Sequence, residues 1–299
     1  MSEYHVPVML KESVEGLNIN PRGVYVDVTF GGGGHSSYIL EQLTDGKLVA
    51  FDQDLEAQDN IPQNNKLVFV HGNFRFLRSF LRLNGFEQVD GILADLGVSS
   101  HHFDAEMRGF SFRFDGPLDM RMNTLSKLDA AHVVNTYEPA KLLEILRVYG
   151  EVDNPKPLVK AIVKRRDERP IELVQELVEA LQPHIPANAQ HKFLAKVFQA
   201  LRIEVNREMD ALKQMLEQSL KVLKPGGRLS VITYHSLEDR LVKNFMKSGN
   251  FEGKVEKDFY GNASSPFNVI TRKALVPSAE ELESNNRSRS AKLRIAEKK

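Results

Sequence analysis

The chain has 299 residues, 41% hydrophobic and 27% charged, with 40 basic residues balanced by 40 acidic ones. Zero net charge excludes a uniformly basic nucleic-acid coat but leaves room for local basic patches. The absence of cysteine excludes disulfides and thiolate metal sites and fits a reducing cytoplasm. No apolar run approaches the ~18 residues of a membrane span, and no secretory signal is visible, so a cytoplasmic protein without a membrane partner is expected.

The first hundred residues alternate strand and helix patterns. Strands are predicted over 24–30, 47–51, 66–70 and 89–93, the second ending at Asp52 and the fourth running into Asp95. Helices are predicted over 36–43 and 75–83, and this βαβ rhythm implies an α/β fold with a doubly wound parallel sheet. Helical patterns then predominate, near 126–135, 139–149, 157–166, 170–181 and 190–205, with Pro170 in the first turn of the fourth. A helix over 208–223, a Lys224-Pro-Gly-Gly turn and a buried strand to Thr233 resume the α/β pattern. Closing elements are predicted over 254–259 and 268–274. The expected organisation is a discontinuous core, 1–103 and 207–284, with an all-helical insertion, 104–206, for substrate recognition. Residues 285–299 are expected to form a basic arm or disordered tail.

Residues 24–35, Val24-Tyr-Val-Asp-Val-Thr-Phe-Gly-Gly-Gly-Gly-His35, carry the strongest local signal. A strand that ends in glycines and opens a helix brings bare backbone against an adenosine-bearing cofactor. A G-x-G-x-x-G counted from Gly31 fails at Ser36, which argues against an NAD-linked dehydrogenase. With Asp27 inside the strand, the stretch instead resembles motif I of class I S-adenosylmethionine (SAM) methyltransferases. A tight turn without a ligand is the alternative, although four adjacent glycines are costly in chain entropy. Gly33, Gly34 and His35 would offer backbone N–H groups, and Asp52, about 20 residues on, would accept from ribose hydroxyls. Phe74 would flank the adenine or serve as plain core, and Asp95 would lie beside the reacting methyl. Adjacent His101-His102 without acidic spacing is a poor metal signal, so no metal site is expected.

Longer motifs carry a family resemblance. They are His5-Val-Pro-Val-Met-Leu-Lys-Glu12, Asp27-Val-Thr-Phe-Gly-Gly-Gly-Gly-His-Ser36, Asp95-Leu-Gly-Val-Ser-Ser100, Arg108-Gly-Phe-Ser-Phe112 and Asp115-Gly-Pro-Leu-Asp-Met-Arg-Met122. Phe198-Gln-Ala-Leu-Arg-Ile-Glu-Val-Asn206, Tyr234-His-Ser-Leu-Glu-Asp-Arg240 and Arg287-Ser-Arg-Ser-Ala-Lys-Leu-Arg294 complete the set. Together they resemble the ribosomal RNA small subunit methyltransferase H family, the bacterial 16S rRNA cytosine-N4 methyltransferases, over essentially the whole chain. The sequence departs from that family at His101-His102, where Pro-Gln is common, and at Lys196-Val197, where Arg-Thr is common.

The resemblance implies a class I methyltransferase core with a helical insertion. It implies SAM as cofactor and N4 of a cytidine at the ribosomal decoding centre as target. Its SAM contacts fall on Gly33, Gly34, His35, Asp52, Phe74, Asp95 and His102. The expected partner is 16S rRNA in the small ribosomal subunit, with a homodimer as one option for assembly.

An acceptor for the amine hydrogens is needed, and Asp95 is the first candidate, with Asp119 and His235 as alternatives. Asp119 could instead pair with Arg121 to brace a loop, and His235 could be a bonded core histidine. Arg108, Arg113, Arg121, Arg287 and Arg289 are candidate RNA contacts. Phe110, Phe112 and Phe114 would either stack bases or be buried between core and insertion. Rival readings are a SAM methyltransferase acting on another RNA or a protein, and a SAM-binding ribosome-assembly factor.

Overall fold

The computed structural model describes residues 6–98, 106–257 and 263–299. The chain divides into two compact units, Met1–Gly97 with Met209–Lys299, and Val98–Glu208.

The first unit is built on a seven-stranded sheet in the order β3-β2-β1-β4-β5-β9-β8. Its strands are β1 (Val24–Asp27), β2 (Lys47–Asp52), β3 (Leu67–His71), β4 (Val89–Asp95), β5 (Leu223–Thr233), β8 (Phe267–Val269) and β9 (Lys292–Lys298). A separate short hairpin joins β6 (Glu256–Lys257) to β7 (Ala263–Ser264). Strands β1 to β5 are parallel, whereas β9 runs antiparallel to both β5 and β8. Leu48-Val-Ala-Phe51 of β2 is buried throughout, the unbroken apolar run of a strand covered on both faces. Strand order reverses between β1 and β4, the place where open α/β sheets hold ligands beyond their strand ends. The first strand stops at Asp27 rather than at 30, because the Asp27 carboxylate accepts the Thr29 N–H and turns the chain.

The expected C-terminal arm is corrected by the sheet. Leu293, Ile295 and Ala296 are buried, and residues 292–297 pair with β5 from Thr233 back to Arg228. Arg294 is not a loose cation either; its guanidinium makes a two-point bond to Asp239, at 2.7 and 3.2 Å.

The second unit is helical: Ala130–Thr136, Pro139–Val148, Lys156–Glu168, Val174–Leu181 and Gln190–Asn206. Its core is one cluster that includes Val133, Leu142, Ile145, Leu158, Ile162, Leu177, Phe198 and Leu201. Two helix starts differ from expectation. Asp129 caps the first helix by accepting the His132 N–H at 2.7 Å, which moves its start to Ala130. The fourth starts at Val174, leaving Pro170 outside. Leu173 forms an isolated antiparallel bridge with Pro117 there, with Leu118 N–H donating to the Glu172 carbonyl and Val174 N–H to that of Gly116.

Candidate active site

The site is assembled at the carboxyl ends of β1, β2 and β4, all within the sheet unit. Asp27, fully buried, ties the glycine loop down: its carboxylate accepts from Thr29 N–H at 3.0 Å and from Ser36 Oγ at 2.7 Å. Gly31 and Gly33 have φ of 51° and 77°, a left-handed backbone that glycine alone adopts cheaply. A Cβ on Gly33 would press on the Phe30 ring, and one on Gly34 would overlap Pro7. A Cβ on Gly31, by contrast, would meet only the Thr29 carbonyl, at 4.0 Å. Beside that open side begins the helix Gly34–Gln42, whose first N–H groups have no intrahelical acceptor.

Asp52 closes the loop from β2. Its Oδ2 accepts from Gly31 N–H at 2.7 Å and its Oδ1 from Asp54 N–H at 2.9 Å. Phe74 follows β3 and is half-buried against the sheet core. His35 is buried, with Nε2 donating to the Val8 carbonyl at 3.1 Å, which joins the N-terminal segment to the loop.

Asp95 ends β4. Its backbone N–H donates to Thr29 Oγ1 at 2.7 Å, and its Oδ1 accepts from Tyr234 Oη at 2.6 Å. His35 Nδ1 stands 3.9 Å from Oδ2. Burial raises the Asp95 carboxyl to about 6, against the lowering effects of His35 and the Tyr234 hydroxyl. Burial likewise raises Asp27.

The structure brings Gly33, Gly34, His35, Asp52, Phe74 and Asp95 together in one unit; His102 lies outside the described residues. His235 caps the helix Ser236–Ser248 in a reciprocal box with Glu238. Asp119 belongs to the helical unit and grips Arg121 at two points, 2.8 and 2.6 Å, so it is a loop brace. Two RNA candidates are engaged within the fold. Arg108 is buried and donates to the carbonyls of Arg121 and Met122, while Arg121 donates to those of Thr124 and Ser126. Arg113, Arg287 and Arg289 are exposed. Phe110 and Phe112 join the helical unit's own core, the latter edge-on to His191 and Phe198. The sequence reading missed Thr29, Ser36 and Tyr234. Their signal was weak, because hydroxyl residues near strand ends are common and only the fold aims them at Asp27 and Asp95.

The residues present fit SAM. Asp52 would offer a strand-end carboxylate to its ribose diol, Gly31 leaves an open face beside it, and Asp95 would match the sulfonium charge.

The pattern that defines the MraW methylase family matches residues 2–299. Two relatives, both called ribosomal RNA small subunit methyltransferase H, come from Parabacteroides distasonis and Bacteroides thetaiotaomicron. The first is 59% identical, covering 99% of this chain and 97% of the relative; the second is 60% identical, covering 99% and 98%. A solved rRNA methylase from Streptococcus thermophilus aligns over 99% of both chains at 13% identity, with a TM-score of 0.43. Strand order and site define a class I SAM-dependent methyltransferase. The chain belongs to the MraW methylase family.

Proposed function

We propose that this protein methylates small-subunit ribosomal RNA, at the N4 amine of a cytidine in the decoding centre, in the cytoplasm. The observation that carries the chemistry is Asp95 at the end of β4, its backbone N–H bonded to Thr29, its carboxylate held by the Tyr234 hydroxyl and its carboxyl raised to about 6 by burial. Kinship with proteins called ribosomal RNA small subunit methyltransferase H supports the RNA substrate, and the motif resemblance supports the cytidine amine.

SAM supplies an electrophilic methyl when bound. Asp52 would hold the ribose and the glycine loop would offer backbone beside it, which would fix the direction of approach. The exocyclic amine of cytosine is a poor nucleophile, because its lone pair is delocalised into the ring. Asp95 accepts a hydrogen bond from N4–H, draws density onto nitrogen and offsets the positive charge that develops there. Once ionised it can take that proton on Oδ2, the oxygen not held by Tyr234. Alignment of this kind supplies several kcal/mol, up to about 7–11 in the best oriented cases. Exposed Arg287 and Arg289 are proposed phosphate contacts, displayed on a short helical turn rather than on a flexible arm.

The test is methyl transfer from labelled SAM to small ribosomal subunits taken from cells lacking this protein, with naked 16S rRNA alongside. Nucleoside analysis is expected to give N4-methylcytidine at one position of the subunit. Tight SAM binding with no methyl transferred to either would favour a ribosome-assembly factor that only binds SAM.

A further inference from the structure

Tyr234 opens the motif Tyr234-His-Ser-Leu-Glu-Asp-Arg240, and the cofactor contacts leave it without a task. We propose that Tyr234 is the positioning residue of the methyl-transfer site, its hydroxyl fixing Oδ1 of Asp95 so that Oδ2 is the oxygen presented to the amine. This deepens the function proposed above and rests on Asp95 being the acceptor.

Three contacts carry it. The Tyr234 Oη–Asp95 Oδ1 bond is short, 2.6 Å. The tyrosine is itself anchored, with its N–H donating to Glu238 Oε2 at 2.9 Å at the start of the helix Ser236–Ser248. Its ring lies over Gly97, where φ is +113° and a Cβ would approach Cδ2 to 3.1 Å; glycine there lets the ring sit close to the end of β4. The Asp95 backbone is fixed by its N–H bond to Thr29 Oγ1, and among the described residues the carboxylate's hydrogen bond falls on Oδ1, from Tyr234. Oδ2 has His35 Nδ1 at 3.9 Å, beyond hydrogen-bonding distance.

The surrounding charges explain why the hydroxyl matters. Asp95 faces Asp27 from β1, His35 from the helix Gly34–Gln42 and Glu238 from the helix Ser236–Ser248; Glu281 acts on Tyr234 from the helix Ala279–Ser284. Two of these acids and the burial itself work against ionised Asp95, whereas His35 and the hydroxyl favour it. Burial also lifts the Tyr234 phenol well above its ordinary value, so it remains a donor at every working pH.

The experiment is a carbon-13 titration of the Asp95 carboxyl in the protein without SAM, assigned by its loss in Asp95→Asn. In Tyr234→Phe the midpoint should move up by about half a pH unit or more. In protein carrying 3-fluorotyrosine, a stronger donor of unchanged shape, it should move down, which keeps the test available if Tyr234→Phe folds poorly. On the methyl acceptor, Tyr234→Phe should lower kcat about tenfold with the KM for SAM within about twofold, and should change nothing further in an Asp95→Asn background. An Asp95 midpoint unmoved by either change, or an equal further loss in that background, would overturn the role given to Tyr234. Absence of transfer by the wild-type protein would instead count against the proposed substrate, and the titration would still decide the tyrosine.

Discussion

The helical unit and the candidate site of the sheet unit treat their charged side chains in opposite ways. In the helical unit, charges brace structure: Asp119 with Arg121, Arg202 with Glu208, and Glu176 with Arg165 and Arg169. Asn206 and Tyr137 do the same with polar groups, bonding Met120, Met122 and Glu204. In the sheet unit, half-buried Asp95 lies beside buried His35, with buried Asp27 acting on it, and desolvation pushes both carboxyls above their ordinary range. Charge that satisfies itself stabilises a fold, whereas charge held at a cost marks the place where chemistry needs it. The contrast separates a methyl-transfer centre from a scaffold.

The largest expected effect comes from removing the costly charge. Asp95→Asn should lower methyl transfer by about 100-fold or more, a larger factor than its loss of SAM affinity. Comparable turnover in the variant would break the comparison at its centre. Next is Asp52→Ala, which removes the diol acceptor and frees the Gly31 N–H. It should weaken SAM binding by about 2 kcal/mol, or about 30-fold, read by calorimetry.

The helical unit offers the converse test. Arg121→Ala removes a two-point ion pair and two carbonyl bonds and should destabilise the protein by about 1–3 kcal/mol, with SAM affinity unchanged. Asp95→Asn should have the opposite sign. The Asp95 carboxyl is raised in the fold, so its ionisation penalises folding fully above about pH 6 and not below about pH 4, and the asparagine variant should melt higher at pH 7.5. The smallest effect is expected from Arg287→Gln with Arg289→Gln. RNA affinity should fall a few-fold, and the salt dependence should flatten by about 0.7–0.9 for each lost phosphate contact. An unchanged slope would remove both from the RNA surface.

Much of the sheet unit was legible because its signals are local. Four glycines, Asp52 at a strand end and Asp95 after an apolar run are each set by near neighbours in sequence. The tail was not, because Lys292-Leu-Arg-Ile295 reads as a basic stretch until its Leu293 and Ile295 find β5, about 60 residues earlier. The bonding of the insertion's arginines was hidden for a related reason. A guanidinium facing phosphate and one donating to carbonyls look identical in sequence, and only the fold around Arg108 and Arg121 shows which carbonyls are within reach. Tyr234 stayed silent because its partner Asp95 lies 139 residues away.

The most direct test of Asp95 as the charge acceptor is the pH dependence of methyl transfer at limiting SAM, which reports the protein before SAM is bound. The rate should fall as pH drops through about 6 and be level above it, because the ionised carboxylate is the working form. A rate that stays flat from about pH 5 to about pH 8 would contradict it.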